Sequence, residues 1–287
     1  MNKAMAWHEQ LDIVARELSW PEAPRWHDGA LYFSDCHHFR VMRVRPGEAP
    51  EKVADLPGRP SGMGFFPDGR LLVAGALDRK LWWVAPGRVE LAADLSAHAT
   101  GLLNDMIVDA NGRAWVGDTG FDLAAGGREC PGTLLSWSPQ EGVRRAAECV
   151  RFPNGMAITP DGKTLFLAET FASAISAFDI ASDGTLSNRR IHAELEGRPD
   201  GMCLDDTGGL WVALLWNQAF HRIDTGGRIT HRLEFEHERC ISCVIGADTR
   251  QTLFLGTSAI VDDGKVKSRG EGFIKRIPAP FAGSGIP

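Results

Sequence analysis

Six residues with oxygen-bearing side chains, Glu22, Ser61, Asn104, Asn154, Asp200 and Ser242, each open a short apolar run. They follow one another at intervals of 39, 43, 50, 46 and 42 residues. The set holds two carboxylates, two amides and two hydroxyls, with no histidine or cysteine. All-oxygen ligation of this kind suits a hard divalent cation such as Ca²⁺, Mg²⁺ or Mn²⁺ better than a dedicated zinc site. Two carboxylates also balance a charge of +2, so the site could be buried at little electrostatic cost. Taken singly, each residue reads as a polar group that starts a turn or caps a strand. Brought together, two buried carboxylates without a cation would be costly.

The elements that must bring them together are visible as a repeat. SGMGFFPDGRLLVAG from Ser61, NDMIVDANGRAWVGD from Asn104, NGMAITPDGKTLFLAE from Asn154 and DGMCLDDTGGLWVAL from Asp200 share one pattern. EAPRWHDGALYFSD from Glu22 and SCVIGADTRQTLFLGT from Ser242 are weaker copies. Each reads as two strands joined by an Asp-Gly, Asn-Gly or Gly-Gly turn that tolerates positive φ. The spacing leaves room for two further strands per unit. Six four-stranded units at this period predict an all-β, six-bladed β-propeller that occupies residues 1–287 as a single domain. Ring closure is expected from residues 11–18 pairing with 272–277, which removes exposed sheet edges. The first strand of each blade lines the central channel, so the six polar residues form a ring at one mouth.

Other groups fall near that mouth. Asp35, Asp118 and Glu169, at the far ends of their hairpins, are candidates for orienting the ligands. His37 and His38 read as loop residues, since neighbours on a strand face opposite ways. Arg59 and Arg198, two residues before their ring positions, and Arg151 and Arg239, three before theirs, could hold a substrate oxygen or pair with acids between blades. Lys and Arg total 31 against 37 Asp and Glu, without runs of like charge, which argues against a nucleic-acid or anionic-membrane partner. No apolar stretch reaches the roughly 18 residues a spanning helix needs, and the polar start lacks a secretory core. A cytoplasmic protein acting on a small molecule is the expectation, with oligomeric state left open. The chain is long enough to bury a core without disulfides. Cys240 and Cys243 form a lone CxxC within ERCISCVIG, which reads as a strand with structural thiols.

WPEAPRW, LLNDMIVDANGR, FPNGMAITPDG and RPDGMCLDDTGGLWVA together resemble the gluconolactonase, regucalcin (senescence marker protein) and luciferin-regenerating enzyme family of six-bladed propellers. The resemblance implies one divalent metal held by Glu22, Asn154 and Asp200, with Asn104 beside it on the substrate. Calcium comes first, with magnesium, manganese or zinc as alternatives. It also implies hydrolysis of lactones or related esters. Sugar-lactone members of the family carry an arginine two residues before Asn104, where this chain has Leu102. A family glycine is replaced by Met106, and an acidic substrate contact is matched roughly by Asp122. Leu102, Leu103, Met106, Trp216 and Trp20 are expected to give the mouth an apolar lining suited to a less hydroxylated lactone.

Such a metal polarises a carbonyl and acidifies water, and Asp200 is the best placed general base. No GxSxG motif offers a serine nucleophile, and Ser242 has no histidine in its repeat. An organophosphate or other ester hydrolase on the same site, and a non-catalytic calcium-binding propeller, are the rival readings.

Overall fold

The turn pairs reverse the chain where the sequence places them. Gly29, Gly69, Gly112 and Gly162 have φ of 69°, 84°, 74° and 69°, values that glycine adopts without steric cost. In the computed structural model, which describes residues 7–260 and 271–284, the strands form six four-stranded antiparallel sheets. Their innermost strands are Pro21–His27, Pro60–Phe65, Leu103–Val108, Pro153–Ile158, Pro199–Leu204 and Glu238–Gly246. Each packs against the innermost strand of the next blade, and the sixth returns to the first. The protein is a six-bladed β-propeller. Among the described residues no helix is long and apolar enough to cross a membrane.

The ring closes through the ends of the chain. Asp12–Leu18 forms the outermost strand of blade 6 and pairs with Gly272–Pro278, Asp12 opposite Arg276 and Leu18 opposite Gly272. The predicted pairing is the observed one. The hydrophobic core is divided among the six gaps between blades, with one cluster in each. Trp115 and Trp211 are the largest wholly buried side chains. Burial of a large apolar side chain contributes about 1.5–3 kcal/mol, so each blade is stable only between neighbours. In blade 4 the innermost strand is buried throughout, whereas Leu186–Glu194 at the outer edge is mostly exposed.

Every innermost strand breaks register beside its ring residue. Pairing with the second strand slips between Glu22 and Arg25, Pro60 and Met63, Leu103 and Met106, Pro153 and Met156, Pro199 and Met202, and Cys240 and Ser242. A bulge inserts an extra residue and re-aims the side chains around it. The residues after five of these bulges, Arg25, Met63, Met106, Met156 and Met202, are buried. Met106 therefore does not reach the mouth as expected; it packs in the core between blades 2 and 3.

Gly155 and Gly201 show how closely the blades approach here. A Cβ on Gly155 would lie 2.4 Å from the Asp200 carbonyl oxygen and 2.6 Å from Met202 N. One on Gly201 would lie 2.7 Å from the Ser242 Cα. Neither position has room for a side chain, because the opposing atoms are backbone. Gly155→Ala should thus cost about 3 kcal/mol or more through overpacking. Gly162→Ala, with nothing within 4 Å, should cost only the roughly 1–2 kcal/mol of its left-handed backbone. Denaturant unfolding of the two variants checks the ordering, and equal losses would contradict it.

Candidate active site

Five of the six ring residues, Glu22, Ser61, Asn104, Asn154 and Asp200, line one cavity of about 410 Å³ at the mouth where the chain enters the innermost strands. Ser242 does not. It is 1% exposed, and its hydroxyl donates to the Pro21 carbonyl at 2.8 Å, tying blade 6 to blade 1. The floor is formed by Glu22, Asn154 and Asp200, all buried. Trp20 Nε1 donates to Glu22 Oε1 at 2.7 Å and so orients the carboxylate. Asn154 Nδ2 donates to Thr170 Oγ1 at 3.1 Å, and that hydroxyl donates to the Pro199 carbonyl at 2.8 Å. This chain fixes the amide and leaves Asn154 Oδ1 buried without a hydrogen-bond partner. An orphaned acceptor of that kind is costly unless something fills it. Asn104 spans neighbouring blades, its Nδ2 donating to the Pro153 carbonyl at 3.1 Å and its Oδ1 accepting from Ser61 Oγ at 3.4 Å.

Charge at the floor is unbalanced. Burial pushes Glu22 well above the usual carboxylate range, and the Asp200 and Asp105 carboxylates push it further, against Trp20 and Arg59. Burial likewise raises Asp200 strongly; contact with Asn154 opposes the rise, and Asp105 adds to it. Asp105 has a partner of its own: Arg25, 2% exposed, reaches across the channel to its Oδ1 at 3.3 Å and to the Met106 carbonyl at 2.7 Å. Burial still raises Asp105, with Arg25 opposing. Among the described residues no three His, Cys, Asp or Glu side chains cluster as a metal site would require. A cation here would need the amide oxygen as well as the two carboxylates.

Residues 20–259 match the family described as SMP-30/Gluconolactonase/LRE-like region. The chain belongs to this family. It is 29% identical to regucalcin of Danio rerio over 84% of this chain and 83% of that one. It is 28% identical to the pentonolactonase XacC of Haloferax volcanii, over 88% and 84%. The solved structure of a calcium-binding protein, regucalcin, from Agrobacterium tumefaciens strain C58 superposes with a TM-score of 0.77 at 18% identity, covering 94% of this chain and 97% of that one.

In this family member the cavity wall is largely apolar. Leu102, Leu103, Trp20 and Trp216 line it as expected, joined by Phe121, Phe152, Phe171 and Leu215. The three phenylalanines pack together with centroids 5.0–5.6 Å apart. Leu102 is held in place by backbone, its N–H donating to Thr119 Oγ1 at 2.9 Å and its carbonyl accepting from Thr119 N at 3.0 Å. Asp122 is not among the lining residues; its carboxylate accepts from Ala125 N at 3.0 Å and closes a turn. His37, read from sequence as a loop residue, does line the cavity. The chain there is a short 3₁₀ turn, Cys36–His38, which sends His37 inward beside Trp20 and His38 to Asp35.

The acids at the hairpin ends do not orient the ring residues. Asp35 accepts from Ser19 N and Oγ, Asp118 from the backbone of Thr100 and Gly101, and Glu169 from Arg151 N and the Arg189 guanidinium. They fasten the segments that lead into the innermost strands. Of the four upstream arginines, Arg59 lines the cavity. Arg198 lies 4.4 Å over Phe171 and 4.8 Å over Trp216, and Arg239 5.9 Å over Trp216. Arg151 turns away to pair with Glu129. Cys240 and Cys243 are buried, and burial raises both thiols. Sequence reasoning missed Thr170 and the phenylalanine wall. Part of the signal was present in the repeat, because the residues just after the second strand in four of the six blades (Cys36–His37, Thr119, Thr170–Phe171, Leu215–Trp216) form a second inward column.

The floor carboxylates make a prediction for the metal-free protein. Their native affinity for protons is raised, so the stability they contribute is present below the ordinary carboxylate range and is lost as pH rises through the raised values. With chelator present, wild type should lose melting temperature as pH rises above the ordinary carboxylate range, and Glu22→Gln should lose less. Parallel curves for the two proteins would contradict the charge imbalance.

Proposed function

We propose that this protein is a divalent-metal-dependent lactonase acting on lactones less hydroxylated than a sugar lactone. The observation that carries the metal centre is the orphaned Asn154 Oδ1 beside two buried carboxylates, of which Glu22 feels only the Arg59 guanidinium and Asp200 no cation. Glu22, Asn154 and Asp200 fit a hard divalent ion, two carboxylates matching its charge and the amide supplying a neutral oxygen. Calcium is the first choice, in keeping with the calcium-binding regucalcin that shares the fold. Membership of a gluconolactonase family and the kinship with a pentonolactonase support lactone opening.

When bound, the ion would polarise the lactone carbonyl and acidify water. Asp200 takes the proton from the attacking water, as a carboxylate beside the ion can. Trp20 holds Glu22 in orientation. The Asn104 amide, at the edge of the floor, contacts the substrate. Leu102, Phe121, Phe152, Phe171 and Trp216 exclude water and receive the apolar part of the substrate.

Chelator should abolish activity and lower the melting temperature, since a ligand of the native state alone stabilises it. Asp200→Asn should remain folded and lose more than about a hundredfold in kcat/KM. Assay of lactones, carboxylic esters and phosphotriesters with and without EDTA tests both statements; a fully active metal-free preparation would sink the metal assignment, and preferential turnover of phosphotriesters would favour the rival hydrolase.

Leu102 cannot supply the donors that polyol hydroxyls need, and discrimination that rests on such hydrogen bonds is large. Simple γ- and δ-lactones should be better substrates than gluconolactone. Leu102→Arg should shift the kcat/KM ratio toward gluconolactone. A wild type that already favours gluconolactone strongly would overturn this reading of the wall.

A further inference from the structure

The charged side chains of the cavity leave a cation over. Glu22, Asp200 and Arg59 are the lining residues with full charges. A divalent ion would neutralise the two carboxylates, and Arg25 already neutralises Asp105 beneath them. Arg59, which acts on Glu22 through space without pairing with it, then faces an apolar cavity with no anion left over for its charge. It is half-buried, and among the described residues it has no ion pair or side-chain hydrogen bond. Elsewhere Arg25, Arg40, Arg113, Arg189 and Arg222 each reach a carboxylate. An arginine kept half out of water without an anion gives up hydration for nothing unless a ligand brings one.

Two further observations point the same way. Arg198, also without an ion pair among the described residues, is held between the faces of Phe171 and Trp216, two of the lining aromatics. It places a second positive charge at the rim. His37 stands on the Arg59 side, where burial and the adjacent guanidinium keep the imidazole neutral. No acid other than Glu22 and Asp200 lines the cavity. The phenylalanine wall of blades 3 and 4 lines the same cavity.

Resting on the lactonase reading above, we infer that the substrate is an anionic, apolar-bodied lactone: it carries a carboxylate or similar anion that Arg59 binds, and an aryl or alkyl group that lies against Phe121, Phe152 and Phe171. Arg59 is a binding residue of blade 2, on a different wall from Leu102 in blade 3. The cavity volume of about 410 Å³ is sufficient for a monocyclic lactone with one ring-sized substituent.

The test separates binding from turnover. Isothermal titration with 3-phenylpropionate and its neutral analogue 3-phenylpropionamide needs no catalysis. Wild type should bind the carboxylate at least about tenfold more tightly than the amide, as a charge-assisted hydrogen bond in an apolar site requires. Arg59→Met should remove that preference and leave amide binding unchanged; Arg59→Lys should keep part of it. The preference should also persist in EDTA. With a phenyl γ-lactone and its carboxylated counterpart, Arg59→Met should raise KM for the carboxylated lactone and leave kcat nearly unchanged. Equal binding of the two probes by wild type overturns the inference. So does a preference that survives Arg59→Met and vanishes with EDTA, since the anion would then sit on the metal. Arg59-dependent carboxylate binding with no turnover of any lactone would instead refute the lactonase reading and leave the anion site standing.

Discussion

Each innermost strand of the propeller must satisfy two demands that a regular strand cannot meet together. It is packed on both faces by neighbouring blades, so its side chains have to be small or apolar. It must also turn one polar side chain into the mouth. The bulge beside each ring residue resolves the conflict by inserting a residue and shifting the direction of the next. Glu22, Asn154 and Asp200 emerge on the axis side of that break, while Met156 and Met202, just beyond it, return to the packed gaps between blades. The same irregularity therefore serves the core and the floor. Glycine at 155 and 201 allows the backbones to approach until no Cβ fits, which sets the spacing between the side chains of adjacent blades.

Rigidity of this kind explains how two carboxylates can be kept buried side by side. An unbalanced pair would ordinarily drive water in or push the strands apart. Here the strands are locked in a closed ring, with Ser242 tied to Pro21 and the outermost strand of blade 6 supplied by residues near the start of the chain. Each carboxyl responds by holding a proton more tightly. The Arg25–Asp105 pair is held within the protein, Arg25 reaching the Met106 carbonyl as well, although its Nε finds no partner. Among the buried side-chain polar atoms of the described residues that lack a hydrogen-bond partner, Asn154 Oδ1 alone belongs to a residue lining the cavity. Its place beside the two carboxyls makes the mouth a candidate site rather than a flaw in the packing.

The blades, their order, the closing strand and the ring were legible from sequence because each is encoded locally. A turn pair, two apolar runs and one polar residue recur within every unit, and a repeat exposes position even where no single motif is strong. The errors came where a contact between units decides the outcome. Met106 was assigned to the mouth because it lies two residues from Asn104, but the bulge turns it into the gap between blades 2 and 3. Ser242 matches its column in type, yet its hydroxyl is taken by the neighbouring blade. Asp35, Asp118 and Glu169 do not line the cavity, though the residues after them do, because the loops leading into their own blades capture their carboxylates. His37 lies between strands as read, but in a 3₁₀ turn, where strand alternation does not decide which side chain faces the cavity.

The division between floor and wall has a consequence for how such a protein can change its substrate. Floor residues sit in strands whose backbones touch, so a substitution there meets neighbouring main chain within 3 Å, as Gly155 and Gly201 illustrate. The wall residues Leu102, Phe121, Phe171 and Trp216 sit in the segments between strands, packed by side chains rather than by opposing main chain. A guanidinium can be absent from blade 3 and present in blade 2 without disturbing the ring, because each of these loops is anchored by its own blade, Thr119 holding Leu102 and the Ala76 N–H holding the Arg59 carbonyl. The reaction is thereby confined to positions that packing protects, and selectivity is written in positions that packing leaves free.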